Sequence, residues 1–232
     1  MQNTERLRRI LDGTDGVIFD FDNIIVDSEP YHFEAYSRAF AKWNHVLDRK
    51  EYWREWTSKG GGAEGEIRRY NLDLDPDEVR RYKDPIYSAF CRSGEIGLVP
   101  AAEQVIRELD AAGYTLAIAS GSYEQDIRAI LKANGLETFF GAVVGKDGIT
   151  RYKPDPETYV TAAGAIRMPP ERCCAIEDAE KGIRSAKGAG MDVIIIETPI
   201  TRGFDLQGAD LTLGSMDELL TLLRLIRDPD NR

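Results

Sequence analysis

Cysteine is almost missing from this sequence, with three in 232 residues, and histidine is scarcer still, with two. Three cysteines, of which Cys173 and Cys174 are adjacent, build neither a disulfide framework nor a zinc-ligand spacing. Cys173 and Cys174 open a short apolar run and read as buried strand residues. No apolar run nears the ~18–20 residues that span a bilayer, and the N-terminus lacks a signal peptide's apolar segment. A reducing cytoplasm is the expected compartment. Basic residues are the minority, since 30 Lys and Arg face 40 Asp and Glu and leave a net charge of −10. Nucleic acid and anionic membrane both call for a basic face, so neither is expected as a partner. No internal repeat is visible.

What is present is alternation. Short apolar runs at Val17–Phe21, Thr115–Ala119, Ala142–Val144, Cys173–Ile176, Asp192–Ile196 and Ala209–Leu213 are separated by segments of helical spacing. Helix ends can be read between them. Ser122 with Gln125 forms a capping box closed by Gly135, Asp155 before Pro156 reads as an N-cap, and Ser215 with Glu218 opens a last helix. This order predicts an α/β fold with a Rossmann-like parallel sheet covered by helices on both faces. Residues 28–97 break the rhythm. They hold no convincing strand, Ser28 can cap a helix whose Phe33, Tyr36 and Phe40 share a face, Lys59-Gly60-Gly61-Gly62 is a turn, and Pro76 and Pro85 mark helix starts. The expected organisation is a core of residues 1–27 and 98–232, carrying a small all-helical insert of residues 28–97.

Four strand ends deliver residues with chemical potential. Asp20 and Asp22 follow the first run, and side chains two apart on extended backbone point the same way. Two carboxylates that close repel unless a cation or proton intervenes. Ser120 and Gly121 follow the second strand just before a helix, a hydroxyl and an amide suited to an anion. Lys153 lies among prolines after the third. Glu177 and Asp178 end the fourth, an acidic pair of the kind that holds a hard cation. Each alone has an ordinary alternative: a polar strand end, a Ser-Gly turn, a surface lysine, a helix N-cap. Together they fall on the carboxyl edge of an open sheet, where ligands bind, and supply what phosphoryl transfer needs.

Those motifs stand in the chain as Asp20-Phe21-Asp22-Asn23-Ile24-Ile25-Val26-Asp27-Ser28-Glu29, Ala117-Ile118-Ala119-Ser120-Gly121-Ser122, Lys153-Pro154-Asp155-Pro156-Glu157 and Glu177-Asp178-Ala179-Glu180-Lys181-Gly182-Ile183. In this order the sequence, from Gly16 to roughly Leu223, resembles the haloacid dehalogenase superfamily. The similarity is to its phosphatases and phosphomutases with a helical cap after the first motif, the β-phosphoglucomutase and phosphoglycolate phosphatase-like branch. The resemblance implies a magnesium-dependent enzyme acting on a small phosphorylated metabolite. It makes Asp20 the nucleophile, Asp22 the acid and base, and Ser120 and Lys153 the phosphoryl-binding residues. Magnesium would be held by Asp20, the Asp22 carbonyl and Asp178, with Glu177 in support. The family's dehalogenases lack the second aspartate, so Asp22 favours phosphate chemistry. Asn23 departs from the branch's usual glycine, and asparagine tolerates left-handed backbone angles better than most residues.

A phosphatase is the leading expectation. A sugar phosphomutase is the second, because Tyr31-His32-Phe33 is similar to that branch, where a histidine at the place of His32 helps hold the acid/base aspartate. Against it, the branch's distal-phosphate arginine after the cap's Lys-Gly turn is missing after Lys59-Gly60, with Arg68 and Arg69 as the nearest substitutes. A non-catalytic phosphoacceptor of the receiver type would lack the helical insert and would have no use for Asp22. Lys59 joins His32, Ser120, Gly121 and Lys153 among the expected substrate-binding residues. A monomer is expected, with a dimer as the alternative.

Overall fold

A computed structural model describes residues 2–57, 61–199, 201–202 and 206–227. Its elements follow in the order α1 (Gln2–Asp12), β1 (Gly16–Phe19), α2 (Glu29–Ala41), α3 (Arg49–Glu51), α4 (Gly62–Arg69), α5 (Pro76–Ser93), α6 (Ala102–Ala111), β2 (Thr115–Ala119), α7 (Glu124–Ala133), β3 (Phe140–Val144), α8 (Glu157–Ala165), β4 (Cys173–Glu177), α9 (Glu180–Gly188), β5 (Asp192–Ile196), β6 (Leu211–Leu213) and α10 (Met216–Arg227). A wide helical turn, Tyr52–Thr57, continues α3.

The six strands form one parallel sheet in the order β3-β2-β1-β4-β5-β6. The chain runs outward from β1 through β2 to β3, then crosses back and runs the other way through β4 to β6. That reversal leaves a crevice beyond the carboxyl ends of β1, β2 and β4. Strand β1 shows why this sequence lies in the middle. Val17 and Phe19 point into one apolar layer and Ile18 into the other, and all three are fully buried. Period-two alternation with both faces apolar suits only a strand covered on both sides. The first layer packs α1, α6, α7 and α10 on one face, and the second packs α8 and α9 on the other.

Between β1 and α6 the described elements of regular structure are helices, and an aromatic cluster of their own holds them. Phe40, Tyr52 and Trp56 are buried there against Ala39, Ala63 and Val79. Helix α5 packs along α2 and also reaches α7 of the core, where Ser88 Oγ donates to Asp126 at 2.8 Å.

Several expected boundaries shift, each for a local reason. Strand β1 stops at Phe19 instead of Phe21. Asp20 N still donates to Ile176 O at 2.8 Å, but Ile25 N then bonds Phe21 O and closes a tight turn. Asn23 sits in that turn at φ 62°, in the left-handed region that asparagine tolerates. Strand β3 starts earlier, at Phe140, β4 includes Glu177, and β6 begins only at Leu211. Asp210 N still donates to Val193 O at 2.9 Å, but it is the Asp210 carboxylate that accepts from Val193 N, and it also meets Lys187. Pro85 starts no helix: it lies inside α5, which continues because Val79, Tyr87 and Cys91 bury one face. Ser28 and Ser122 flank helices without capping them by side chain. Asp155 does meet the start of α8, its carboxylate accepting from Glu157 N, and Ser215 Oγ accepts from Glu218 N. Cys173 and Cys174 are buried strand residues, as expected. Lys59 and Gly60 lie outside the described residues.

Phe19 carries Asp20 on its carboxyl side and is fully buried between the sheet and its helices. Phe19→Ala should cost about 3–5 kcal/mol of stability by opening a cavity at the strand's end. Urea unfolding followed by circular dichroism measures this, and a loss below about 1 kcal/mol would contradict the packing described.

Candidate active site

Among the expected residues, Asp20, Lys153, Glu177 and Asp178 meet at the switch point, with Ser120 and His32 on the neighbouring Asp22. Lys153, carried on the loop before α8, extends its ammonium beneath the end of β1. Nζ lies 2.7 Å from Asp20 Oδ1, 2.7 Å from Glu177 Oε1 and 2.9 Å from the Ala119 carbonyl. Three strand ends are thereby tied to one charge. The side chains of Lys153 and Glu177 are 8% and 2% exposed, so little water screens these ion pairs. Burial would depress the lysine, yet the two carboxylates outweigh it and hold its pKa above the usual range.

Glu177 is fully engaged. Its Oε1 also accepts from Tyr159 OH at 2.9 Å, and its Oε2 accepts from the backbone amides of Asp178 and Ala179. Burial alone would raise its pKa, but the ammonium of Lys153 and these donors bring it below the ordinary range. Gly182 is the reason α9 can lie so close. A Cβ there would sit 1.9 Å from the Glu177 carboxyl carbon, so no other residue fits without moving the carboxylate.

The neighbouring acids behave oppositely. Burial, then the charge of Glu177, pushes Asp20 up to about 7 despite Lys153. Asp178, buried beside Glu177 and Asp20, is pushed well above the carboxylate range. One oxygen from each of Asp20, Glu177 and Asp178 lies within 4.8 Å of the others. With all three carboxylates ionised against one ammonium, the cluster would carry a net double negative charge among hard oxygen donors, which fits a divalent cation such as magnesium. Because Glu177 already accepts four hydrogen bonds, Asp20 and Asp178 are the acids with lone pairs to spare.

Asp22 stands apart from this cluster, and its two oxygens face different parts of the fold. Oδ1 accepts from Ser28 Oγ at 2.6 Å and lies 3.4 Å from both His32 Nε2 and Tyr87 OH, all from the helical segment. Oδ2 accepts from Ser122 Oγ at 2.8 Å and lies 3.4 Å from Ser120 Oγ, both on the loop after β2. His32 is held by stacking on Tyr87, with ring centroids 3.9 Å apart. Burial would raise Asp22, but the hydrogen bond and charge of His32, with Ser28 and Ser122, hold it far below the usual carboxylate range.

Ser28 and Ser122 thus serve the site rather than the helices that they adjoin. A hydrogen bond to a carboxylate is roughly twice as strong as a neutral one, which turns both hydroxyls inward. At the N-terminus of α7, the Glu124 amide is taken by Asp147 Oδ1 at 2.9 Å. The amide of Gly121, on the exposed loop between the two serines, makes no hydrogen bond among the described residues. Tyr87, Tyr159 and Gly182 were not singled out by sequence reasoning. Only Gly182, a glycine inside a helical pattern, left a readable signal. Lys83 was missed too: buried 4.3 Å from the Tyr87 ring centroid, it shares Asp84 with Lys146 across the junction of α5 and the core.

Comparison with known proteins gives the family and the fold. The family profile described as haloacid dehalogenase-like hydrolase matches residues 17–196. Fructose-1-phosphate phosphatase YqaB of Escherichia coli is 30% identical over 189 residues, 77% of this chain and 94% of that protein. Beta-phosphoglucomutase of Bacillus subtilis is 29% identical over 214 residues, 88% of this chain and 90% of that protein. Among solved structures, CbbY from Rhodobacter sphaeroides in complex with xylulose-(1,5)bisphosphate superposes with a TM-score of 0.77. It is 30% identical and covers 90% of this chain and 99% of its own.

The raised acids give a pH prediction. With a folded pKa of about 7 against 3.8 unfolded, Asp20 binds more protons in the folded state between those values. Stability without metal should therefore fall as pH rises from about 4 to 7, and Asp178 acts in the same direction. A divalent cation competes with those protons, so magnesium should raise Tm more at pH 8 than at pH 5. Thermal melts at the two pH values, with and without magnesium chloride, check this, and an equal or smaller shift at pH 8 contradicts it.

Proposed function

Since the chain belongs to the haloacid dehalogenase-like hydrolases, we propose that it is a magnesium-dependent phosphatase forming a phosphorylated Asp20. Its substrate is a small phosphorylated metabolite, either a sugar phosphate or a phosphoglycolate-like compound. The observation that carries this reading is the ammonium of Lys153 set between Asp20 and Glu177 at 2.7 Å from each, with Asp178 beside them. Relatives that act on fructose 1-phosphate or bind a sugar bisphosphate support the substrate class.

In this reading Asp20, restrained by Lys153 on one oxygen, attacks phosphorus with the other, and the bond to the leaving oxygen breaks. Asp22 gives that oxygen a proton. Asp22 then takes a proton from water, the water oxygen bonds to phosphorus, the bond to Asp20 breaks and phosphate leaves. In the free site Asp22 is ionised, but a bound phosphoryl dianion engages the Ser120 hydroxyl and raises the aspartate's pKa by like-charge repulsion. Lys153, Ser120 and the free Gly121 amide neutralise the transferring group. Magnesium, held by Asp20, Asp178 and the Asp22 backbone carbonyl, would supply further positive charge at the phosphoryl oxygens. Residues 28–97 act as the cap over this edge, and His32, Ser28 and Tyr87 join it to Asp22.

Asp20→Asn should lower turnover roughly a thousandfold or more, because an amide is a poor nucleophile and loses the anionic ligand. Residual turnover near wild type on a panel of sugar phosphates would end the covalent mechanism. Equal turnover in excess EDTA would end the metal's part in it.

The mutase remains the second reading because His32 does meet Asp22. A mutase retains a bisphosphorylated intermediate and needs a fixed cation for the distal phosphate. Arg69 is engaged by Glu55 at 2.6 Å and Glu51 at 3.7 Å, and Arg68 is exposed, so neither is set aside for that duty. With β-glucose 1-phosphate and a trace of the 1,6-bisphosphate, free phosphate should form faster than glucose 6-phosphate. The reverse order of rates would replace the phosphatase reading with the mutase.

A further inference from the structure

We propose that Asn23 is a positioning residue for Asp178, fixing that carboxylate for a divalent cation. This rests on the reading of Asp20 and Asp178 as the cation's acids and adds a residue to it. The backbone at Asn23 has φ 62°, a conformation that glycine adopts without steric cost and asparagine tolerates. Unlike glycine, asparagine brings an amide there: Nδ2 donates to Asp178 Oδ2 at 3.4 Å, across 155 residues of sequence.

The geometry around this contact is fixed on both sides. Asn23 N donates to Val26 O at 2.8 Å and Ile25 N to Phe21 O at 2.9 Å, which hold the turn. Asp178 is anchored at the end of β4 by its own amide, which donates to Glu177 Oε2 at 3.0 Å. Its carboxylate, on a residue only 5% exposed, receives from Asn23 its one side-chain hydrogen bond among the described residues. Without it, no side-chain hydrogen bond from a described residue would fix that carboxylate's rotation. An amide donor suits the task because it carries no charge and does not compete with the cation for the site. It holds one oxygen and leaves the other without a hydrogen bond from any described residue.

Groups that orient a metal ligand from behind typically change affinity by about 10–100-fold when removed, and the length of this contact points to the lower end. The test is calorimetric titration of magnesium, and of manganese followed by electron paramagnetic resonance, into substrate-free protein. Wild type, Asn23→Gly and Asp178→Ala are compared. Glycine accepts the backbone angle, so Asn23→Gly should keep the metal-free melting temperature of wild type or exceed it. Its dissociation constant for both ions should rise roughly tenfold. A merely structural asparagine would lower the metal-free melting temperature and leave the constant alone, which overturns the proposal. An unchanged constant in Asn23→Gly with binding lost in Asp178→Ala overturns the role of Asn23 only. Unchanged binding in both variants removes the metal-site reading as well.

Discussion

The arrangement everything else depends on is one buried ammonium among more negative charge than it can neutralise. Lys153 meets Asp20, Glu177 and a strand-end carbonyl at 2.7–2.9 Å, with Asp178 close by. Removing one member of a buried pair costs about 3–5 kcal/mol because the partner is left uncompensated. The same imbalance raises the pKa values of Asp20 and Asp178. Asp20 and Asp178 are held as reluctant anions that a divalent cation would relieve, while Glu177, with four donors, is satisfied and stays in place.

Asp22 meets a different constraint. Each of its oxygens is claimed by a different part of the chain, Oδ1 by Ser28, His32 and Tyr87 and Oδ2 by Ser120 and Ser122. A single carboxylate therefore links the helical segment to the loop after β2. Two carboxylates two residues apart end with opposite electrostatics, since one faces acids and a lysine and the other faces donors only. Burial among acids raises the pKa of Asp20, while the donors around Asp22 lower its own. The junction is reinforced away from the site by Ser88 with Asp126 and by Asp84 between Lys83 and Lys146.

The sequence carried much of this. Short apolar runs marked the six described strands, since a strand buried on both faces is apolar throughout, and the residues beyond Phe19, Ala119 and Glu177 gather at one carboxyl edge of the sheet. Helix ends were less legible. A serine three residues before Gln125 looks the same whether its hydroxyl faces a backbone amide or a carboxylate a hundred residues away, and Ser122 chose the carboxylate. Pro85 misled for a similar reason, because the apolar face that holds α5 together is paired only in three dimensions.

The sequence by itself determined the strand order along the chain, the acids, the hydroxyl and the lysine available, and the reaction class they suit. Composition and local periodicity are properties of neighbours in the chain, so they survive without coordinates. Only the tertiary structure decided that Glu177 is saturated by Tyr159 and Lys153, that Gly182 admits its carboxylate, that Ser28 and Ser122 turn to Asp22, and that Asn23 reaches Asp178. Each of these is a distance between residues far apart in sequence. Hydrogen bonds and burial act over a few ångströms of space, and no spacing along the chain encodes them.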